Sequence, residues 1–428
     1  MTVAATRTDW PRPAEFAGPP DSRTLAGWLE ADRAARPVRL ERVRGRFAAA
    51  GLDAYFGTRR EHMRYLTGFT LGEGEEKVAG HSGQFLIAAD EVVVLADSRY
   101  TIQAAREAPD ARIESSMPDL VAVWRTLLAS LGARTVGVEA GFVSHALWTR
   151  LAEAAPDVTL IPIEGWVEAD RATKEPAELE RVAAACAVAD RALATLLPEI
   201  RAGVTERELA WRLEVLMRTS GAEALAFDVA CLAGPEAALP HGSPGDRPVL
   251  AGQVLLFDFG AQVAGYRSDM TRTLFVGDPT ERDLAVYELV ARAQAAAVDA
   301  VRAGVAAAHR APGHGTAARN GVADLRPLPS GRAIDAVARD VIAAAGHGDH
   351  FGHGTGHGIG LATHELPSLG RTGPETPLPS PTVFSVEPGV YLEGELGVRI
   401  EDLVSIDATA GTVDILTRFP REVLVVGS

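Results

Sequence analysis

Lysine, cysteine and long apolar runs are scarce in this 428-residue sequence, and each scarcity excludes a class of protein. Only Lys77 and Lys174 are lysines, and the formal net charge of −15 disfavours a nucleic-acid-binding protein, whose contact surface would be basic. The two cysteines, Cys186 and Cys231, are too few for a disulfide framework, and their apolar neighbours predict buried free thiols. No apolar run reaches the ~18 residues that a membrane-spanning helix needs.

An export signal is not expected in the first residues, because Met1 to Ala17 contains Arg, Asp, Pro and Glu without an apolar segment. A cytoplasmic protein with neither a nucleic-acid nor a membrane partner is therefore expected. Apolar residues make up 47% of the chain and charged residues 23%, which is ordinary globular composition. The length favours two or three domains.

Local patterns divide the chain into a tail, a unit of alternating strands and helices, and a longer part that begins with two long helices. The expected ranges are 1–36 for the tail, 37–168 for the α/β unit and 169–428 for the longer part. In the longer part, Thr205 and Glu208 have the spacing of a helix capping box.

Two segments are predicted to be loops. Residues 306–329 carry Pro, Gly and His without a clean period, which predicts a surface insertion between two helices. The Gly- and Glu-rich segment from Gly68 to Gly83 is long enough to reach beyond its own domain.

The first chemical signal is a predicted hairpin that carries Asp258 and Asp269. Their midpoint falls at the turn near Val263-Ala264-Gly265, so the two carboxylates are expected opposite one another on one face. A solvated hairpin with exposed aspartates is the alternative. The apolar neighbours of Asp258 disfavour it, since two unpaired buried carboxylates would be costly without a cation between them.

A second predicted hairpin repeats this arrangement with Glu387 and Glu401. Their midpoint is Gly394, which lies inside the turn Glu393-Gly394-Glu395-Leu396-Gly397. The flanking strands are again apolar. Four carboxylates in facing pairs suit two divalent ions better than one.

Histidines cluster just before the second hairpin, at His353, His357 and His364. Their glycine-rich segment lacks the lysine of a phosphate-binding loop and the fingerprint of a dinucleotide site. One imidazole added to four carboxylates suits Mn²⁺, Co²⁺, Fe²⁺ or Zn²⁺. A similar stretch at His314 has no second histidine four residues on, and it is interpreted as loop.

With these motifs, roughly residues 39–428 resemble the pita-bread metallopeptidases, specifically the Xaa-Pro branch that includes aminopeptidase P and prolidase. Tyr65-Leu-Thr-Gly68-Phe69 and Asp97-Ser-Arg99-Tyr100 resemble the creatinase-type N-terminal domain. The resemblance implies an α/β (α+β) fold, with a creatinase-type N-terminal α/β domain followed by a pita-bread catalytic domain.

The resemblance also implies roles for nine residues. Metal ligands would be Asp258, Asp269, His357, Glu387 and Glu401. The substrate would contact His241, His353 and His364. Catalytic roles would fall to Glu387, His364, His241 and Arg399.

The implied activity is hydrolysis of the Xaa-Pro bond in dipeptides or at the N-terminus of peptides, by a hydroxide that bridges two divalent metal ions. Manganese is the expected ion, with cobalt, zinc or iron as alternatives, and a homodimer is expected. A non-peptidase relative, namely a creatinase-like hydrolase, a lyase or a peptide-binding module, is the competing interpretation. The intact ligand set disfavours it, and the large N-terminal domain disfavours a methionine aminopeptidase.

Overall fold

The computed structural model describes residues 10–72, 82–310 and 327–427. The chain forms two compact units. One is Ser22–Asp170, and the other combines the residues up to Asp21 with those from Arg171 onward. The expected boundary was 168/169. Most of the predicted 68–83 loop lies outside the described residues.

In the described part of the N-terminal unit, α-helices accompany a six-stranded sheet with the order β4-β3-β2-β1-β5-β6. Its elements are α1 (Ser22–Arg44), α2 (Phe47–Ala50), β1 (Ala54–Gly57), α3 (Arg60–Thr67), β2 (Gln84–Ala88), β3 (Val92–Ala96), α4 (Thr101–Glu107), β4 (Arg112–Ser115), α5 (Leu120–Ser130), β5 (Thr135–Glu139), α6 (His145–Ala154), β6 (Thr159–Ile163) and α7 (Trp166–Ala172), which crosses the boundary.

Local sequence accounts for several of these boundaries. Gly51 ends α2 in the left-handed conformation, with φ 64°, as a glycine after a helix commonly does. Asp119 caps α5 by accepting a hydrogen bond from the amide of Ala122. The β-branched run at β3 is fully buried. Helix α1 begins at Ser22, so the expectation of a tail over 1–36 is wrong from that residue onward.

The segment before α1 packs on the second unit rather than hanging free. Phe16 stacks on Phe419 with ring centroids 6.3 Å apart, and Trp10 donates to the carbonyl of Val425. These two contacts hold part of the predicted tail against the second unit, and Phe16 is buried there.

Among its described residues, the second unit holds three small sheets, a two-stranded ribbon and four long helices. Its elements are α8 (Pro176–Leu196), α9 (Glu206–Thr219), β7 (Ala224–Leu225), β8 (Ala230–Ala233), β9 (Gln253–Phe259), β10 (Ala261–Val263), β11 (Tyr266–Arg267), β12 (Met270–Val276), α10 (Glu281–His309), α11 (Gly331–Ala344), β13 (Gly356–Gly358), β14 (Glu365–Leu369), β15 (Thr382–Val386), β16 (Gly389–Leu392), β17 (Leu396–Arg399), β18 (Asp402–Asp407), β19 (Thr412–Ile415) and β20 (Val425–Val426).

Two sheets contain or adjoin the five expected metal ligands. One has the order β20-β12-β9-β8, and the other has the order β14-β13-β15-β18-β19. A continuous apolar core packs α10 and α11 against strands of both sheets, with Val290, Ile334 and Phe384 among its fully buried members. The capping box of Thr205 and Glu208 is confirmed at the start of α9.

Helix α10 is longer than expected. It continues to His309, so the predicted loop over 306–329 is wrong at its start. Residues 311–326, including His314, lie outside the described residues. Cys186 and Cys231 are free and buried, as predicted. None of the described helices combines the length and the apolar composition needed to cross a bilayer.

Trp124 of α5 is fully buried against Phe56, with ring centroids 5.0 Å apart. Trp124→Ala should lower the free energy of unfolding by about 3–5 kcal/mol, because it removes a large buried ring and leaves a cavity. Urea denaturation followed by circular dichroism measures this. Trp211→Ala is the matched control: this ring is 64% exposed, so the change should stay within about 0.5 kcal/mol. Equal losses in both variants would contradict this packing.

Candidate metal centre

Asp258 and Asp269 lie on one face of the first hairpin, but not directly opposite one another. Asp258 pairs with Thr271, and Asp269 immediately precedes β12. The turn consists of Ala264 and Gly265, both with positive φ, so it is centred one residue later than predicted. This corrects the register by two residues, which keeps both carboxylates on the same face as diagonal neighbours.

The second hairpin has the predicted register. Val386 pairs with Asp402 on one side, and Gly389 pairs with Arg399 on the other. The same register places Glu387 across from Glu401, at the point where β15 and β18 give way to β16 and β17. Gly394 occupies the turn with φ 73°.

The glycine-rich segment from Gly352 to Gly360 brings His357 against the second hairpin, because its backbone lies in close contact with that of β15. A Cβ on Gly356 would overlap the carbonyl oxygen of Ser385, so only glycine fits there. The amide of His357 donates to Ser385 Oγ, and the imidazole Nδ1 donates to the carbonyl of Gly358 at 3.0 Å. That second bond leaves Nε2 unprotonated and directed at the carboxylates.

All nine residues expected from the resemblance line one cavity of about 410 Å³. His357 Nε2 lies 3.4 Å from Glu387 Oε1 and 3.6 Å from Asp269 Oδ2. Ligand atoms of Asp269, His357 and Glu401 all lie within 4.8 Å of one another. Carboxylates from two different hairpins and one imidazole therefore converge on one small volume.

Burial and mutual repulsion shape the charges in this cavity. Burial raises the pKa of Asp269 and Glu401 well above the ordinary carboxyl value, and the other carboxylates raise both further. Burial also raises the pKa of Glu387, with Asp258 adding to it. The imidazole pKa values of His353, His357 and His364 are all lowered, chiefly by burial. Neutral imidazoles of this kind can act as ligands or hydrogen-bond partners.

Comparisons with known proteins agree with this geometry. Residues 180–310 and 316–408 match metallopeptidase family M24, and residues 39–173 match the creatinase/prolidase N-terminal domain. The chain belongs to metallopeptidase family M24. An Xaa-Pro dipeptidase of Pyrococcus furiosus is 35% identical over 290 residues, covering 68% of this chain and 75% of that protein.

Solved structures extend the likeness to the whole M24 architecture. The Xaa-Pro dipeptidase from Bacillus anthracis has a TM-score of 0.79 at 32% identity and covers 91% of this chain and 100% of its own. The X-Pro aminopeptidase from Thermotoga maritima has a TM-score of 0.74 at 33% identity and covers 88% and 98%. The expected pita-bread fold of the Xaa-Pro branch, preceded by a creatinase-type domain, is confirmed.

The cavity of this M24 member fits the divalent metal that its family implies. Asp258 Oδ1 and Glu401 Oε1 are buried without a hydrogen-bond partner among the described residues. Such oxygens are costly unless a cation binds them. Arg399 is the nearest positive charge, and it donates to Asp258 Oδ2 at 2.6 Å. One guanidinium cannot balance four carboxylates, so the donor set calls for cations.

Several supporting side chains in this M24 site escaped prediction from the sequence. Thr271 donates to Glu401 Oε2 at 2.8 Å, and Ser385 donates to Glu387 Oε1 at 3.0 Å. The Tyr391 hydroxyl accepts from Arg399 and lies 2.7 Å from His353 Nε2. Thr271 could have been found from its position two residues after Asp269 on the same strand face, whereas Tyr391 carries no local signal.

Asp269→Asn should sharply reduce the metal content of the purified protein. Mutating the outer partners of metal ligands commonly costs about 10–100-fold in metal affinity, so loss of a ligand carboxylate should cost more. Elemental analysis after equilibration with Mn²⁺ measures the content. Asp278→Asn, at an exposed position beyond β12, is the control and should bind as the wild type does. Unchanged metal content in Asp269→Asn would remove Asp269 from the ligand set.

Gly356→Ala should displace His357 and weaken metal binding, because the added methyl group overlaps the backbone of β15. Gly352→Ala lies in the same segment with nothing within 4 Å of the new Cβ and should leave binding unchanged. Titration calorimetry with Mn²⁺ compares the two variants. Equal affinities would show that the close approach of Gly356 is not needed to place His357.

Proposed function

We propose that this protein is a dinuclear-metal peptidase that hydrolyses the Xaa-Pro bond, in dipeptides or at the N-terminus of longer peptides. The observation that carries the proposal is the convergence of four carboxylates and His357 Nε2 on one cavity, with two buried oxygens left unpaired. Relatives named Xaa-Pro dipeptidase and X-Pro aminopeptidase support the substrate class.

The proposed ligands of two divalent ions, manganese foremost, are Asp258, Asp269, His357, Glu387 and Glu401. When bound, such ions would lower the pKa of a water molecule, so supplying a hydroxide nucleophile, and would polarise the carbonyl before proline. Hydrogen bonds within the protein orient some of these ligand atoms before any metal binds. Thr271 and Ser385 each hold one oxygen of a glutamate, which leaves the second oxygen free for coordination.

Glu387 is the proposed proton carrier. It lines the cavity beside His357, and its Oε1 is oriented by Ser385. A carboxylate in this place can take a proton from the attacking water and deliver it to the departing proline nitrogen. That nitrogen needs a proton in order to leave as the amine of proline when the C–N bond breaks.

His241, His353 and His364 are the proposed contacts of the substrate. All three line the same cavity as the carboxylates, and the His364 ring lies 4.2 Å from that of His357. Imidazole N–H groups here can donate to the oxygen that becomes negative in the tetrahedral intermediate. Arg399 is the remaining proposed catalytic residue. It donates to Thr271 Oγ1 and the Tyr391 hydroxyl, and its third hydrogen bond, to Asp258 Oδ2, fixes the orientation of that carboxylate.

A cytoplasmic homodimer is the proposed state of the protein. The family resemblance supports the dimer. Light scattering coupled to size exclusion measures the assembly directly.

Parallel assays of Ala-Pro, Ala-Pro-Ala and Ala-Ala should show hydrolysis of at least one proline substrate in the presence of Mn²⁺ and none after chelation. Cleavage of Ala-Pro alone assigns a dipeptidase, because a closed pocket leaves the extra residue of a longer peptide unaccommodated. Cleavage of the tripeptide assigns an aminopeptidase. Asp278→Asn serves as the active control. Faster hydrolysis of Ala-Ala than of either proline substrate would defeat the proposed specificity.

A further inference from the structure

Three charged side chains form a buried ion cluster beside the cavity without lining it. Arg171, Lys174 and Glu365 are 2%, 1% and 3% exposed at the side chain. Glu365 Oε2 accepts a short hydrogen bond from Arg171, and Glu365 Oε1 accepts from Lys174 Nζ at 3.3 Å. Lys174 also donates to the carbonyl of Arg171. Charged side chains are rarely buried so completely unless they are paired, and removing one partner of such a pair leaves an uncompensated buried charge.

Glu365 joins this cluster to the proposed site through the backbone. It is the first residue of β14 and directly follows His364. Between β13 and β14, Glu365 pairs with Gly358, the residue after His357. His357 itself pairs with Ser368. The carboxylate also lies against the preceding loop, since a Cβ on Gly360 would overlap Glu365 Oε1. Displacing this carboxylate therefore displaces the loop that carries His364.

The other neighbour of His364 is fixed as well. Thr363 Oγ1 donates to the carbonyl of Ala226 at 3.1 Å and accepts from Arg267 at 3.0 Å. The His364 imidazole itself is exposed and receives no hydrogen bond from any described residue. Its place near His357 is thus set by the two residues that flank it.

We propose that Glu365, clamped by Arg171 and Lys174, is a positioning residue that holds the His364 imidazole at the substrate cavity. The proposal rests on the proposed function for the role of His364. It adds that two buried cations, one at the end of α7 and one in the short link before α8, control the geometry of this side chain. Glu365 itself touches neither substrate nor metal.

A double-mutant cycle tests the proposal. Glu365→Gln keeps the shape but leaves two buried cations unbalanced, and a misplaced catalytic group commonly costs about 100-fold. We expect kcat on the cleaved proline substrate to fall by about 10- to 100-fold, with metal content unchanged. In a His364→Ala background the same change should cost less than about 2-fold, because Glu365 acts through the missing ring. Equal losses in both backgrounds would overturn the proposal.

Further variants separate positioning from folding. Lys174→Met keeps the Arg171–Glu365 pair and should give a smaller loss of kcat than Glu365→Gln, so the test stands if Glu365→Gln does not fold. Glu365→Asp retains the charge and should recover part of the rate. Glu139→Gln is the matched control, since its carboxylate is also 3% exposed and lies in the N-terminal unit. It should lower the melting temperature without changing kcat, and a similar loss of kcat there would contradict a specific role for Glu365.

A readout independent of activity separates this proposal from the proposed function. The ¹³C–¹H signal of His364 in histidine-labelled, zinc-loaded protein is assigned by its loss in His364→Ala. It should shift in Glu365→Gln and stay unchanged in Glu139→Gln. A wild-type protein that cleaves no proline substrate would refute the proposed function, whereas an unmoved His364 signal would refute the positioning role.

Discussion

Mutual repulsion among four carboxylates, two of them buried and two partly buried, is the constraint on which the rest of the site depends. Burial and neighbouring charge raise the pKa of Asp269, Glu387 and Glu401 above their values in the unfolded chain. Without metal, the folded state therefore binds more protons than the unfolded state. The stability that these groups contribute is fully present below the unfolded pKa of about 4 and is lost as the pH rises through the folded values. Divalent cations remove this conflict, which makes metal binding part of the stability of the fold as well as of its chemistry.

Two hairpins and the glycine-rich segment position the side chains of this site. Each hairpin presents a pair of carboxylates from strand ends, where a side chain can face a cavity while the neighbouring residues stay in the core. The glycine-rich segment places His357 beside these carboxylates, because Gly356 packs closely against β15. Rigid strands limit the movement of the ligand atoms, and hydrogen bonds from Thr271 and Ser385 orient them.

The amino-acid pattern predicts much of this arrangement, and its failures have physical reasons. Glu387 and Glu401 could be paired because Gly394 marks the turn between them. The sequence predicts the register of Asp258 and Asp269 wrongly by two residues. Ala264 adopts positive φ beside Gly265, which moves the centre of the turn. Contacts between residues far apart in the sequence carry no local signal, and the burial of Lys174 against Glu365, 191 positions later, is of this kind. The early start of α1 and the late end of α10 show that helix boundaries are also hard to place from sequence.

The most direct test of the account is anomalous diffraction at the manganese absorption edge, from crystals of the protein grown with Mn²⁺. The account predicts two peaks in the cavity, each within coordination distance of ligand atoms from the set Asp258, Asp269, His357, Glu387 and Glu401. It also predicts that Asp258 Oδ1 and Glu401 Oε1, now buried and unpaired, become ligands. A map with a single peak, or with no peak among these carboxylates, would contradict it.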